Sequence, residues 1–203
     1  DGIATYFREY LREFMKNWVK DNKKPDGTDY DIYRDGLKIY TTIDSRMQLY
    51  AEEAVMSHLA NLQEEFNINQ KGNKNAPFVN ISKEETDRLM MQAMKSSERW
   101  RILKADEKSD EEIIKSFDIK TKMTVFTWKG ERDTIMTPTD SIRYYKSFLQ
   151  SGMMAMDPEN GNVKAWVGGI NYKYFQYDHV GQGARQVGST FKPFVYATAI
   201  EKL

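Results

Sequence analysis

This sequence predicts an α+β fold: helices with a small sheet over residues 1–150, then a β-hairpin and a further helix over 151–203. Three observations predict it. Apolar residues recur at helical spacing behind residues suited to cap a helix. Two short runs, 36–43 and 122–128, are rich in β-branched and aromatic residues. Two apolar runs flank the turn-forming D-P-E-N-G-N at 157–162, the pattern of a hairpin.

The first helix spans 3–19. Ile3, Phe7, Tyr10, Leu11, Phe14, Met15 and Trp18 form a stripe that reads as its core face, and Asp1 can cap its start. N-K-K-P-D-G at 22–27 ends it with Pro and Gly. G-L-K-I-Y-T-T-I at 36–43 reads as a strand. Asp44 then stands where an N-cap belongs, ahead of a long helix to Phe66 whose buried side holds Met47, Ala51, Ala54, Val55, Leu59 and Leu62. His58 lies among these and reads as a partly buried structural histidine. After a polar loop at 67–77, Ser82 and Glu85 have capping-box spacing and open a helix to Leu103. Ser109 and Glu112 repeat the spacing before a short helix ending near Phe117. K-M-T-V-F-T-W at 122–128 is a second strand, K-G-E-R-D its turn and D-T-I-M its partner. Thr139 or Asp140 caps a helix through Leu149, packed by Ile142, Tyr145 and Phe148. Gly168 and Gly169 close the later hairpin, and a tyrosine-rich loop leads to the helix at 185–203.

Composition excludes several chemistries. Thirty Lys and Arg balance thirty Asp and Glu, and the basic residues are scattered, so nothing draws the chain to nucleic acid. No apolar run approaches the ~20 residues of a membrane span. The charged opening is unlike a signal peptide, so any anchor is expected upstream. Cysteine is absent, and His58 and His179 are the two histidines. A cysteine nucleophile is impossible, the usual zinc sets are not expected, and no cofactor is implied. A serine nucleophile must use His58, His179 or a residue other than histidine as its base, which makes lysine the base to seek.

Ser189-Thr190-Phe191-Lys192 is such a pairing. With 11 Ser and 20 Lys, one S-x-x-K is expected about once by chance, so its surroundings carry the reading. Gly188 permits a tight turn into the helix. Pro193 lacks an N–H and is tolerated in a first turn, which places Ser189 at the helix N-terminus and Lys192 one turn further in, on the same face. Unpaired N–H groups and the positive end of the dipole suit a developing oxyanion there. Lysine, ordinarily at ~10.4, serves as a base near neutral pH only if burial or neighbouring cations depress that value. Phe191, Phe194 and Val195 are the apolar candidates for that burial. The bland alternative is a serine N-cap with an exposed lysine on an ordinary amphipathic helix.

Three segments resemble a known family. R-Q-V-G-S-T-F-K-P-F-V-Y at 185–196 resembles the active-site segment of class A penicillin-binding proteins, where a turn leads into S-x-x-K-P and an aromatic; Val187 stands where many members carry proline. M-D-P-E-N-G-N-V-K-A-W-V-G-G at 156–169 resembles the hairpin opening their transpeptidase domain, with Asn160 for the usual threonine. G-L-K-I-Y-T-T-I-D-S-R-M-Q-L-Y-A-E-E-A-V at 36–55 resembles the linker that follows their glycosyltransferase domain. Residues 67–150 match least and read as a lineage-specific elaboration of that linker.

The resemblance implies a helix-rich linker with a small sheet, followed by the first β-hairpin and active-site helix of a truncated penicillin-binding transpeptidase domain. Residues 1–35 would be a helix and connector after the glycosyltransferase domain, 36–150 the inter-domain linker, and 151–203 the start of the transpeptidase domain. Ser189 would be the nucleophile acylated by the D-Ala-D-Ala stem peptide of peptidoglycan and by β-lactams. Lys192 would be its general base, and the Ser189 backbone N–H half of the oxyanion hole. The implied partners are peptidoglycan stem peptide and lipid II, β-lactam antibiotics and cell-wall synthesis proteins, with no nucleic acid. Membrane contact would come only through an upstream anchor, at the periplasmic face of the bacterial cytoplasmic membrane. The family's S-x-N and K-T-G motifs occur nowhere in the sequence, so the chain by itself is expected to lack useful transpeptidase activity. Two other readings stand beside this one. The chain could be a non-catalytic linker or docking module with a degenerate transpeptidase domain. It could also be a related serine acyl-enzyme, a β-lactamase or β-lactam sensor, against which the linker-like 1–150 argues. A cut-off sheet would leave 151–203 marginally stable and prone to self-association.

Overall fold

The computed structural model describes residues 2–73 and 75–202. Asp1, the expected first cap, lies outside the described residues. In chain order the elements are α1 (Thr5–Asp21), α2 (Ser45–Asn69), α3 (Lys83–Lys95), α4 (Glu98–Ala105), α5 (Asp110–Ser116), β1 (Thr121–Thr127), β2 (Gly130–Met136), α6 (Pro138–Lys146), β3 (Met153–Met156), β4 (Val163–Val167), a 3₁₀ turn (Gly188–Phe191) and α7 (Lys192–Glu201). The fold is α+β, with two antiparallel ribbons, β1–β2 and β3–β4. The residues divide into two compact units. One holds the described residues up to Gln48 and those from Gly152 onward; the other is Leu49–Ser151.

In the first unit α1 lies against β4, but not by its whole apolar stripe. Tyr6 and Met15 are buried, whereas Ile3, Tyr10 and Phe14 stay 39%, 48% and 54% exposed. The cause is a pair of glycines. A Cβ on Gly168 or Gly169 would come within 2.8 and 2.4 Å of the Tyr6 ring and hydroxyl, so only bare backbone lets Tyr6 seat there. Its hydroxyl then donates to the Phe175 carbonyl at 2.5 Å. β3 and β4 pair from Met153 opposite Val167, with a bulge at Ala155/Met156. The D-P-E-N-G-N turn closes as expected: Asp157 accepts from the Glu159 N–H, and Gly161 takes φ 74.

Residues 36–43 are not a strand. The segment meets β4 through the Thr42 hydroxyl on the Val163 carbonyl and the Asp44 N–H on the Lys164 carbonyl. No ladder extends further, because the next outward groups of β4 belong to Gln48. That side chain donates to the Trp166 carbonyl at 2.9 Å and accepts from the Trp166 N–H at 2.7 Å.

Asp44 caps α2 as predicted, accepting from the N–H groups of Arg46 and Met47. The buried line of α2 is Gln48, Ala51, Val55, Leu59 and Gln63, advancing mostly by four. Ala54, His58 and Leu62, expected inside, trail on its flank and are exposed, as is Met47. In the second unit Gln63 repeats what Gln48 does in the first. It donates to the Ser147 carbonyl at 3.0 Å and accepts from the Leu149 N–H at 2.8 Å.

Four further boundaries differ from expectation. The helix opened by Ser82 stops at Lys95, because Ser96 and Ser97 turn their hydroxyls back to the Gln92 and Met94 carbonyls and Ser97 caps α4. The β1–β2 turn is Trp128-Lys129, closed by the Thr127 hydroxyl on the Gly130 carbonyl. The cap of α6 is Thr137, since Pro138 occupies the first turn and Asp140 answers the Thr137 hydroxyl. α6 ends at Lys146, where the chain turns to meet Gln63. The Ser109–Glu112 capping box forms in full. Met94, Trp100, Ile113 and Phe117 make the core of this unit, with Ile142 of α6 against it.

Candidate functional site

Ser189 and Lys192 lie where the first unit's loop becomes its last helix. Gly188 has φ 50, a left-handed turn open to glycine. The next residues form the 3₁₀ turn, and Lys192 then opens α7 with Pro193 in its first turn. The expected single helix is thus a 3₁₀ turn followed by an α-helix. The backbone N–H of Lys192 donates to the Ser189 carbonyl. In a 3₁₀ turn residues three apart eclipse, so Ser189 and Lys192 share a face. No hydrogen bond joins their side chains among the described residues.

The surroundings of the pair are open. Every described residue from Gly181 onward is exposed, including Phe191 at 52%, Phe194 at 66% and Val195 at 53%. Phe191 and Phe194 lie tilted against each other at 5.6 Å instead of covering Lys192. They do not supply the burial a lysine base requires. Exposed aromatics on a helix are unusual unless another surface meets them.

Further back, the loop is built around one carboxylate as far as Gly181. Asp178, which sequence reasoning passed over, is buried and anchors it. Its carboxylate accepts from the Trp166 indole at 3.0 Å and from the N–H groups of Val180 and Gly181 at 2.9 and 3.1 Å. Its signal in the sequence was an Asp followed three residues later by Gly, a turn pattern. His179, one of two histidines considered as base, is held by its backbone N–H on the Gly168 carbonyl and meets Tyr177 edge-on. Burial, aided by Arg185, lowers its pKa, favouring the neutral ring. His58, on α2, is exposed and belongs to neither element of the pair. Among the described residues no cluster of acidic or histidine side chains is arranged to hold a metal, and no helix is long and apolar enough to cross a membrane.

Comparison with known proteins finds relatives along most of this chain. The family model "Penicillin-binding protein middle domain" matches residues 73–149. That match departs from the reading of 67–150 as a lineage-specific elaboration: residues 73–149 are similar to a domain described for penicillin-binding proteins, and they fall within the unit Leu49–Ser151. Penicillin-binding protein 1A of Vibrio cholerae is 25% identical over 95% of this chain and 27% of its own length. The protein of that name from Neisseria flavescens is 27% identical over 85% of this chain and 24% of its own. The one from Aquifex aeolicus is 26% identical over 97% and 26%. The chain therefore spans about a quarter of the length of the curated relatives it matches. No solved structure matches it.

Proposed function

We propose, from the premise that this chain is a relative of the class A penicillin-binding proteins and matches them along most of its length, that it carries the nucleophile of a peptidoglycan transpeptidase. Ser189 attacks the carbonyl of the penultimate D-Ala of a stem peptide, the D-Ala–D-Ala peptide bond breaks and the terminal D-Ala leaves as the amine, giving an acyl-enzyme; with a β-lactam the ring C–N bond opens instead. Lys192 takes the serine proton, and the Ser189 N–H is half of the oxyanion hole. The observation that carries this reading is the shared face of Ser189 and Lys192, set by Gly188 and Pro193 at the opening of α7.

The open surroundings fit a site completed by further chain. Lys192 is exposed, and a lysine that serves as a base needs cover from solvent or neighbouring cations. The elements of the parent protein that bear S-x-N and K-T-G would supply that cover and the second oxyanion donor. The parent would work at the periplasmic face of the cytoplasmic membrane, held by an upstream anchor. It would polymerise glycan from lipid II through an upstream domain, beside other cell-wall synthesis proteins. The chain by itself is inactive on this account.

A fluorescent penicillin tests the proposal on this chain, on a form extended past Leu203, and on that form with Ser189→Ala. Labelling of the extended form alone is expected. A folded extended form that stays dark would overturn the catalytic reading and favour the docking-module alternative, in which Leu49–Ser151 is the working part.

A further inference from the structure

In the first unit a cleft of about 360 Å³ opens between α1 and the loop 172–182, within the ~300–1,000 Å³ range of small-molecule sites. Its walls are aromatic. Tyr172 stands edge-on to Tyr6 at 5.1 Å, and Tyr10 rests on Trp166 at 5.0 Å. A Cβ on Gly181 would lie 3.0 Å from Asp178 Oδ2 and 3.1 Å from Trp166 Cζ2, so the bare glycine leaves the floor uncrowded.

The polar groups around these rings are only half used. Arg12 Nε donates to Glu9 Oε2 at 2.7 Å, and among the described residues no hydrogen bond goes to Oε1. Gln182 accepts the Asp178 N–H through Oε1 and keeps its amide N–H groups. The Gln176 amide and the Tyr10 and Tyr172 hydroxyls bond no described residue. Glu9 faces Tyr172 across the cleft: burial first, then that carboxylate, raises the Tyr172 pKa. Asp178 itself is unavailable, since both its oxygens are held from within.

The charges sort the ligands. An anion meets Glu9 and Glu13. A cation competes with Arg12 for Glu9 and with Lys16, which already holds Glu13 at 2.6 Å. What remains favoured is an uncharged molecule with an apolar face for a tyrosine ring and several hydroxyl or amide groups on its rim. Sugar rings have that chemistry.

We propose that this cleft binds a carbohydrate, one or two pyranose rings of a neutral N-acetylated glycan, stacked on Tyr10 and hydrogen-bonded by Glu9, Gln176 and Gln182. The acetamido groups rest on the peptidoglycan reading above; the carbohydrate chemistry rests on the cleft.

The test is titration of the chain with the β-1,4-linked N-acetylglucosamine tetramer, followed by amide NMR shifts, with maltotetraose as the unacetylated comparison. Saturable shifts on α1 and the 172–182 loop are expected. Tyr10→Ala and Gln176→Ala should each weaken binding about tenfold, the equivalent of one lost contact of ~1.4 kcal/mol. Phe14→Ala, an exposed aromatic on α1 outside the cleft, should change nothing. Equal binding of maltotetraose would keep the carbohydrate site and remove the acetylated preference. No saturable response to either glycan, or one indifferent to both variants, overturns the proposal. Gln176 is exposed, so its variant isolates contact from folding. Penicillin labelling of Ser189 is a separate readout. Glycan binding with a dark serine sinks the transpeptidase reading alone, and the reverse sinks this one alone.

Discussion

Gln48 in one unit and a tyrosine pair in the other do the same work on two ribbons. The outward N–H and C=O of Trp166 on β4 meet the Gln48 amide at 2.7 and 2.9 Å. Those of Phe126 on β1 meet the hydroxyls of Tyr145 and Tyr144 at 3.2 and 2.6 Å. Each seal is made by side chains of a helix instead of a third strand. The opposite edges differ. β2 carries Glu131, Arg132 and Asp133 in succession, and charges of this kind discourage a further strand. β3 carries exposed Met153, Met154 and Met156 and no charge. The middle unit is thus closed off by its own residues, while the unit bearing Ser189 offers a bare edge and an uncovered α7. On the function proposed above, β3 is the edge at which a further strand would add.

The largest effect should come from the core of the middle unit. Phe117 is 1% exposed, and Phe117→Ala should cost about 3–5 kcal/mol in urea unfolding. A loss under about 1 kcal/mol would mean this unit is less self-contained than its packing implies. Next, Gln48→Leu strands two backbone groups on β4, at about 1–3 kcal/mol each. Gln63→Leu should cost a similar amount at the Ser147–Leu149 turn, and a cheap Gln48→Leu would show that the β4 edge can find other partners. Met154→Lys sharpens the contrast of edges: self-association of the chain, followed by sedimentation, should weaken several-fold with stability changed by less than ~0.5 kcal/mol. Ser109→Ala removes the capping box of α5 and should cost about 1 kcal/mol by thermal unfolding.

The smallest effect is a pH dependence at α2. The N–H groups of Met47 and then Arg46 hold the Asp44 carboxyl below its ordinary 3.8. Its contribution is therefore present above that value and is lost as pH falls through the lower folded-state pKa. Asp44→Asn keeps an acceptor without the charge and should flatten the stability curve in acid. An unchanged curve would mean the cap acts without its charge.

Much of the fold was legible because much of it is local. Asp44, Ser82 and Ser109 cap helices by bonds to groups two or three residues away, so their patterns survive translation from sequence to structure. The D-P-E-N-G-N hairpin and the Gly188–Pro193 frame around Ser189 are equally short-range. The strand at 36–43 failed for a distant reason: the β4 groups it would pair with are held by Gln48. The stripe of α1 held only in part, at buried Met15 and half-buried Phe7, Leu11 and Trp18, because two glycines far along the chain seat Tyr6 as well.

By itself, then, the sequence determined where helices begin, where the second hairpin turns, and that a serine and a lysine three apart would share one face. Only the tertiary structure decided that two glutamines are core residues, that Asp178 anchors the loop before the serine, and that Lys192 stays uncovered. The reason is chain separation. Gln48 and Trp166 are 118 residues apart, and Gln63 and Ser147 are 84 apart. A polar side chain on a helix gives no local sign that a distant backbone will meet both ends of its amide.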